Sequence, residues 1–258
     1  MKSLWMVALL MLAASSPVVA ADWGSLKGRL VFDGDAGTPE AINVNKDVEF
    51  CSKHKPVDER LTVGDDGGLS NVFVYLYVKK GKSVPVHPDM ESPSEEAAVL
   101  DNNGCRFEPH AMTVRVGQEM QIKNSDTIAH NTNAGALLSN PSFNNTVPQN
   151  EPLSKVFEKT ESYPSEFACN IHPWMKSYVL IRNNPYMAVT DSAGNFEIKN
   201  LPAGKHEFIF WHGPNGNIKS LKVGGTKTSR KGRAKLQIPA GDTLDLGEVK
   251  VSGKALGM

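Results

Sequence analysis

Seven residues, Cys169-Asn170-Ile171-His172-Pro173-Trp174-Met175, place a thiol, an imidazole and a thioether on one short segment. A soft thiolate and thioether beside an imidazole suit copper better than a hard cation. Two histidines and one cysteine with a long, weak methionine contact make a blue-copper electron-transfer site. The segment lacks one histidine. His130 supplies it, because it follows a strand-like run from Met112 to Asn124 and stands in Ile128-Ala129-His130-Asn131. His130, Cys169, His172 and Met175 are therefore the expected ligands of one copper ion. Each has a plainer reading when taken singly: Cys-x2-His is half of a zinc site, and methionine fills irregular core gaps. Their joint spacing favours copper.

These residues resemble the cupredoxins, and the ligand loop most resembles that of the amicyanins. Phe107-Glu108-Pro109, an alternating strand with Gly117, Asn124-Ser125-Asp126, His130-Asn131 and Cys-x2-His-Pro-x-Met follow one another in the family's order, over residues 100–183. The longer loop of plastocyanin does not fit. The resemblance implies a Greek-key β-sandwich holding one type 1 copper through the equivalents of His130, Cys169, His172 and Met175. It also implies that Asn131 ties the two ligand loops together and that His172 is the exposed edge where electrons pass. His110, just after Pro109, and long flanks on both sides depart from a minimal member of the family.

Met1-Lys2, an apolar run from Leu4 to Ala14 and the small residues Val18-Val19-Ala20-Ala21 read as a secretory signal peptide over 1–21, cleaved near Ala20 or Ala21. Its apolar core is too short to cross a membrane, and no later stretch reaches that length. The expected address is periplasmic or secreted. The 28 basic and 28 acidic residues cancel, and no basic stripe interleaved with aromatics marks a nucleic-acid surface. The expected partner is a redox protein, with no membrane span. Cys51 and Cys105 are left over in an exported chain, where thiols oxidise to disulfides. With His54 and His110 they also make a four-ligand set for zinc or a second copper, and both readings stand at this point.

The flanks read as β-structure. Leu26 to Phe32 alternates and runs into a glycine-rich turn, residues 38–68 are loop-rich with a short strand at Leu61 to Val63, and Asn71 to Val78 is dense in β-branched and aromatic residues. Lys79 to Glu96 is an expected surface loop. In the copper region the expected strands are 111–116, 119–124, 155–159 and 177–182. A long loop over 131–150 carries Leu137, Leu138 and Phe143 either over the metal edge or into satellite core contacts. Thr190-Asp191-Ser192-Ala193-Gly194-Asn195-Phe196 followed by the turn Leu201-Pro202-Ala203-Gly204 resembles the carboxypeptidase regulatory-like, transthyretin-like β-sandwich. Gly28 to Gly34 with Asn71 to Leu76 looks like the first half of that module. The chain is thus expected to be all-β, with segments 1–21 (signal), 22–99 (N-terminal β segment), 100–183 (copper unit, an insertion) and 184–258 (C-terminal sandwich segment).

The basic run from Lys219 to Lys235 reads as a solvated face rather than a docking patch. His87, His206 and His212 read as surface or hydrogen-bonded residues. The leading function is one-electron transfer without catalysis. The alternative is a periplasmic copper carrier without redox turnover. A copper enzyme ranks last, since the remaining histidines form no His-x-His pair.

Overall fold

Every residue of the strand Val72–Leu76 is buried. Successive strand side chains point to opposite faces, so a strand of this kind needs cover on both sides. Val72, Val74 and Leu76 enter one hydrophobic core, while Phe73 and Tyr75 enter another. The computed structural model describes residues 22–213 and 215–258; the expected signal peptide lies outside them. The described residues are all-β apart from a few single turns of helix. Among the described residues no helix is long and apolar enough to cross a membrane.

Two sheets enclose the first core. One orders Asn195–Pro202, Trp23–Asp33 and Thr243–Ser252. The other orders Met187–Val189, Val72–Leu76, Gly204–His212 and Gly216–Asn217, with Arg233–Ile238 also on Gly204–His212. Trp23–Asp33 pairs antiparallel with Asn195–Pro202 and parallel with Thr243–Ser252. Segments from near the two ends of the chain thus share sheets. Leu26, Leu30, Phe208, Phe210, Ile238 and Val251 fill the space between them.

The intervening chain builds the second core. A five-stranded sheet orders Ala111–Arg115, Lys176–Arg182, Ser165–Ala168, His130–Asn133 and Asn144–Val147; a four-stranded sheet orders Phe107–Glu108, Ala98–Asn102, Glu119–Asn124 and Leu153–Val156. Glu119–Asn124 alternates outward and inward along its whole length. Leu100, Val114, Met120, Ile122, Phe167 and Ile181 pack between the sheets.

A third, smaller cluster joins the two units. Phe73, Tyr75, Ile209 and Trp211 reach it from the first, and Ala111, Tyr178 and Leu180 from the second. The Trp211 ring meets Phe73 and Tyr178 edge-on at centroid distances of 5.5 and 5.2 Å, the arrangement that aromatic quadrupoles favour. Gly213 lets the chains approach this closely, since a Cβ there would overlap the Tyr178 ring.

The structure departs from the sequence expectations in places. Asn144–Val147 is a strand inside the expected loop 131–150; its first three residues are polar and exposed, so no alternation marks it. Ala98–Asn102 and Ser165–Ala168 were not signalled either. The strand expected at 155–159 runs instead as Leu153–Val156, and Leu61 to Val63 reduces to a single bridge, Val63 to Leu69. The turn expected at Leu201 to Gly204 is shorter, because its neighbours run to Pro202 and resume at Gly204.

Leu180 is fully buried at the seam. Leu180→Ala is expected to cost about 2–5 kcal/mol in urea unfolding; a loss below about 1 kcal/mol would show that the seam is not packed as a core.

Candidate metal centre

The Ser165–Ala168 and Lys176–Arg182 strands pair antiparallel, with Ala168 opposite Lys176. This register leaves Cys169 to Met175 as the connecting loop. The Cys169 N–H donates to the Met175 carbonyl at 3.2 Å and the Met175 N–H to the His172 carbonyl at 2.9 Å, so the loop closes on itself. His130 opens the strand His130–Asn133, whose Asn133 pairs with Ala168. The next residue, Asn131, fastens the two segments. Its Oδ1 accepts from the Asn170 N–H at 2.8 Å and the Ile171 N–H at 3.3 Å.

His130, Cys169 and His172 present donor atoms that all lie within 4.8 Å of one another, each from a buried side chain. Cys169 Sγ is 4.0 Å from His130 Nδ1 and 3.7 Å from His172 Nδ1. Metal bonds of about 2.3 Å to sulfur and 2.0 Å to nitrogen, opened to a trigonal angle of about 120°, separate the donors by about 3.7 Å. The donor set therefore fits a copper ion in both chemistry and spacing. Met175 is fully buried in the same core as Cys169.

The far nitrogens of both imidazoles face carboxylates. His130 Nε2 lies 2.8 Å from Asp126 Oδ2, and His172 Nε2 lies 2.9 Å from Asp47 Oδ2. A carboxylate that accepts a hydrogen bond from Nε2–H fixes the tautomer and leaves the Nδ1 lone pair for a metal. Burial alone would raise the Cys169 thiol. The hydrogen bonds from His130 and His172 outweigh it and bring the thiol down to about 6. Burial likewise opposes charge on His130, yet Asp126 and Cys169 hold it up at about 9. The two imidazoles thus favour the ionised form of the Cys169 sulfur against its burial.

Sequence reasoning placed Asp126 among the landmarks without a role and missed Asp47 altogether. Asp126 stands four residues before His130, a spacing that offered a faint signal. Its carboxylate also accepts the backbone N–H groups of Gly104 at 2.6 Å and Cys105 at 2.9 Å. Asp47 lies 125 residues from His172 in sequence, and nothing local marked it. It precedes the helical turn Val48–Cys51 in a left-handed conformation, which aspartate tolerates.

Asp47 overturns one expectation. His172 is not an exposed edge: its side chain is fully buried, because the N-terminal flank lays Asp47 across its outer nitrogen. Trp174 meets the His172 ring edge-on at 5.3 Å and donates from Nε1 to the Cys105 carbonyl at 3.0 Å. A disulfide joins Cys51 to Cys105, leaving no thiolates there to bind a metal with His54 and His110. His54 packs near Phe50, and His110 lies 3.6 Å from a Glu59 oxygen. His206 and His87 are hydrogen-bonded to the Pro202 carbonyl and the Asp89 N–H. His212 is buried, and that burial pushes its imidazole down to about 4.

In the 131–150 stretch, Leu137 and Phe143 join the core that holds Cys169 and Met175, while Leu138 points to solvent. Buried Glu161 fixes this segment. Its carboxylate accepts the Leu138, Ser139 and Asn140 N–H groups at 2.9–3.0 Å. Burial opposes its charge, and these hydrogen bonds prevail, holding Glu161 below the usual carboxylate range.

No protein-family model matches the chain, and no curated protein matches it. Among solved structures it is similar to a copper-containing nitrite reductase from Thermus scotoductus (19% identity over 38% of this chain and 27% of that one, TM-score 0.32). It is also similar to a copper(I) form of an amicyanin mutant (21% identity, 38% and 96% coverage, TM-score 0.30). A purple cupredoxin from Nitrosopumilus maritimus matches at 20% identity (33% and 98% coverage, TM-score 0.27). This chain spans about a quarter of the reductase's length. At TM-scores this low, a shared function does not follow from the likeness.

Asp47→Ala removes a half-exposed carboxylate and should leave the fold intact while weakening copper affinity about 10–100-fold in chelator competition; unchanged affinity would show that Asp47 does not support the ligand. Glu161→Gln should cost about 1–3 kcal/mol at neutral pH. A carboxylate with a lowered folded pKa contributes stability above its unfolded value and loses it as pH falls through the folded one. The difference from wild type in urea unfolding should therefore shrink on acidification; a difference constant with pH would contradict this account.

Proposed function

We propose that this chain is an exported mononuclear type 1 copper protein that carries single electrons between redox partners. The observation that carries this reading is the convergence of His130 Nδ1, Cys169 Sγ and His172 Nδ1, each imidazole backed by a carboxylate. Met175, from the same loop, is the proposed axial ligand. A copper ion held there supplies the one-electron couple. The chain's task is to keep the donors still, since electron transfer is fast when geometry changes little between oxidation states. The loop's own hydrogen bonds and the Asn131 clasp serve that end.

Side chains no more than 1% exposed hold all four proposed ligands. Burial of this depth favours retention over release, which weighs against the copper-carrier alternative. With His172 covered, exposed Pro173 and half-buried Trp174 are the groups beside it that reach the surface, and we assign partner docking to that edge. We read the flanking unit as a carboxypeptidase regulatory-like, transthyretin-like sandwich with the copper unit over 100–183 inserted in it. Sharing of sheets between segments before residue 77 and after residue 186 supports this. Export through the 1–21 segment accords with a disulfide, which persists in oxidising compartments.

The test is a visible spectrum of the copper(II)-loaded mature chain. An intense thiolate-to-copper band is expected, and Cys169→Ser should abolish it with the far-ultraviolet circular dichroism unchanged. Met175→Leu should keep the colour and raise the reduction potential, because the oxidised ion loses a donor. A colourless complex formed only with copper(I) would establish the carrier instead. Failure to bind copper would remove both readings.

A further inference from the structure

A cleft of about 720 Å³ opens where the two β units meet, with Tyr75, Tyr77 and Ile209 of the first and Ser139, Tyr163 and Arg182 of the second among its walls. Two stretches of the first unit bring Lys79, Lys80 and Lys82, and Lys219, Arg230 and Lys231, to the same cleft. With Arg182 and Arg233 this makes eight cations, and no carboxylate lines the cleft. The chain's formal net charge is zero, so this is a local concentration of positive charge. Arg233 has a counter-ion in Glu207 at 3.3 Å. Among the described residues the other seven are in no ion pair.

Arg182 makes the cleft more than a basic surface. It is only 6% exposed, its Nη1 donates to the Glu161 carbonyl at 3.1 Å, and its Nε has no partner. Its guanidinium lies 5.5 Å from the Tyr75 ring, whose buried hydroxyl also lacks a partner. A buried cation without a counter-charge is costly unless something pairs with it. An anionic occupant would supply the missing charge, and the planar guanidinium suits a carboxylate or phosphate.

We propose that this cleft binds a small organic anion with two or more carboxylate or phosphate groups, one directed toward Arg182 and the others toward the lysine-rich rim. A volume of this size is usual for small-molecule sites, which favour the junctions between units. The depth of Arg182 selects a small ligand over an acidic protein face, which would meet the rim alone. The site is separate from the metal centre, because the Lys176–Arg182 strand carries the chain about 20 Å between them. It rests on none of the copper chemistry.

Citrate and inorganic pyrophosphate are the probes, titrated by calorimetry into the full mature chain with and without copper. Saturable one-to-one binding is expected with a Kd below about 1 mM at moderate salt, with any visible copper band unchanged. Arg182→Gln should weaken it at least about tenfold. Because Arg182 is buried and that variant can misfold, the rim variant Lys79→Gln/Lys82→Gln provides an independent arm, expected to weaken binding and to flatten its salt dependence. Binding no tighter than that of chloride at equal ionic strength would overturn the proposal. So would equal affinity in wild type and the rim variant, or binding of poly-glutamate without binding of citrate, which would mark a protein-docking face.

Discussion

The candidate metal centre depends on how its buried sulfur is drawn toward the thiolate form. Burial pushes a thiol toward its neutral form, and Cys169 is almost completely buried. Two imidazoles facing the sulfur reverse that tendency, and each is held in place from behind. Asp126 and Asp47 grip the outer nitrogens, so the inner nitrogens point at the thiolate in a defined orientation. The strands bring the parts near one another. The carboxylates decide which nitrogen each ring presents.

Cys105 connects this arrangement to the rest of the protein. Its N–H, like that of Gly104, donates to Asp126, its carbonyl accepts from Trp174, and its sulfur is bonded to Cys51. Cys51 ends the short helical turn that Asp47 precedes. One cross-link therefore anchors both carboxylates, one on each side of the bond. In a chain-entropy view such a link also stabilises the fold by about 4 kcal/mol, through the long loop it closes in the unfolded state.

The convergence of His130, Cys169 and His172 was legible in the sequence because its marks are local: Cys169 and His172 lie three residues apart, and His130 stands beyond a strand-like run. The strand Val72–Leu76 was legible too, since an uninterrupted apolar run has few other uses. What escaped notice is non-local. Asp47 meets His172 across 125 positions, and an aspartate in a loop carries no mark of such a contact. The expected exposure of His172 failed for the same reason, as its cover comes from a flank that has no counterpart in the ligand motif. The polar strand Asn144–Val147 forms because a neighbour, His130–Asn133, offers it an edge. The basic run 219–235 does present its lysines to solvent, but its convergence with Lys79 to Lys82 exists only in three dimensions.

The shared wall between the two β units changes what counts as a separable piece of this protein. Tyr178 and Leu180 sit on the second unit's strand that follows the Cys169–Met175 loop, with Ala111 on the strand beside it, and all three bury their apolar surface in one cluster with Phe73, Ile209 and Trp211. A segment excised at 98–182 would keep every proposed ligand and lose Asp47, the disulfide and the cover over that face. It would emerge with a bare aromatic and aliphatic patch on the outside of its central sheet, a sticky surface rather than a finished one. The flank is thus an outer layer of the second β unit, and the smallest fully covered form of that unit extends well beyond the ligand motif.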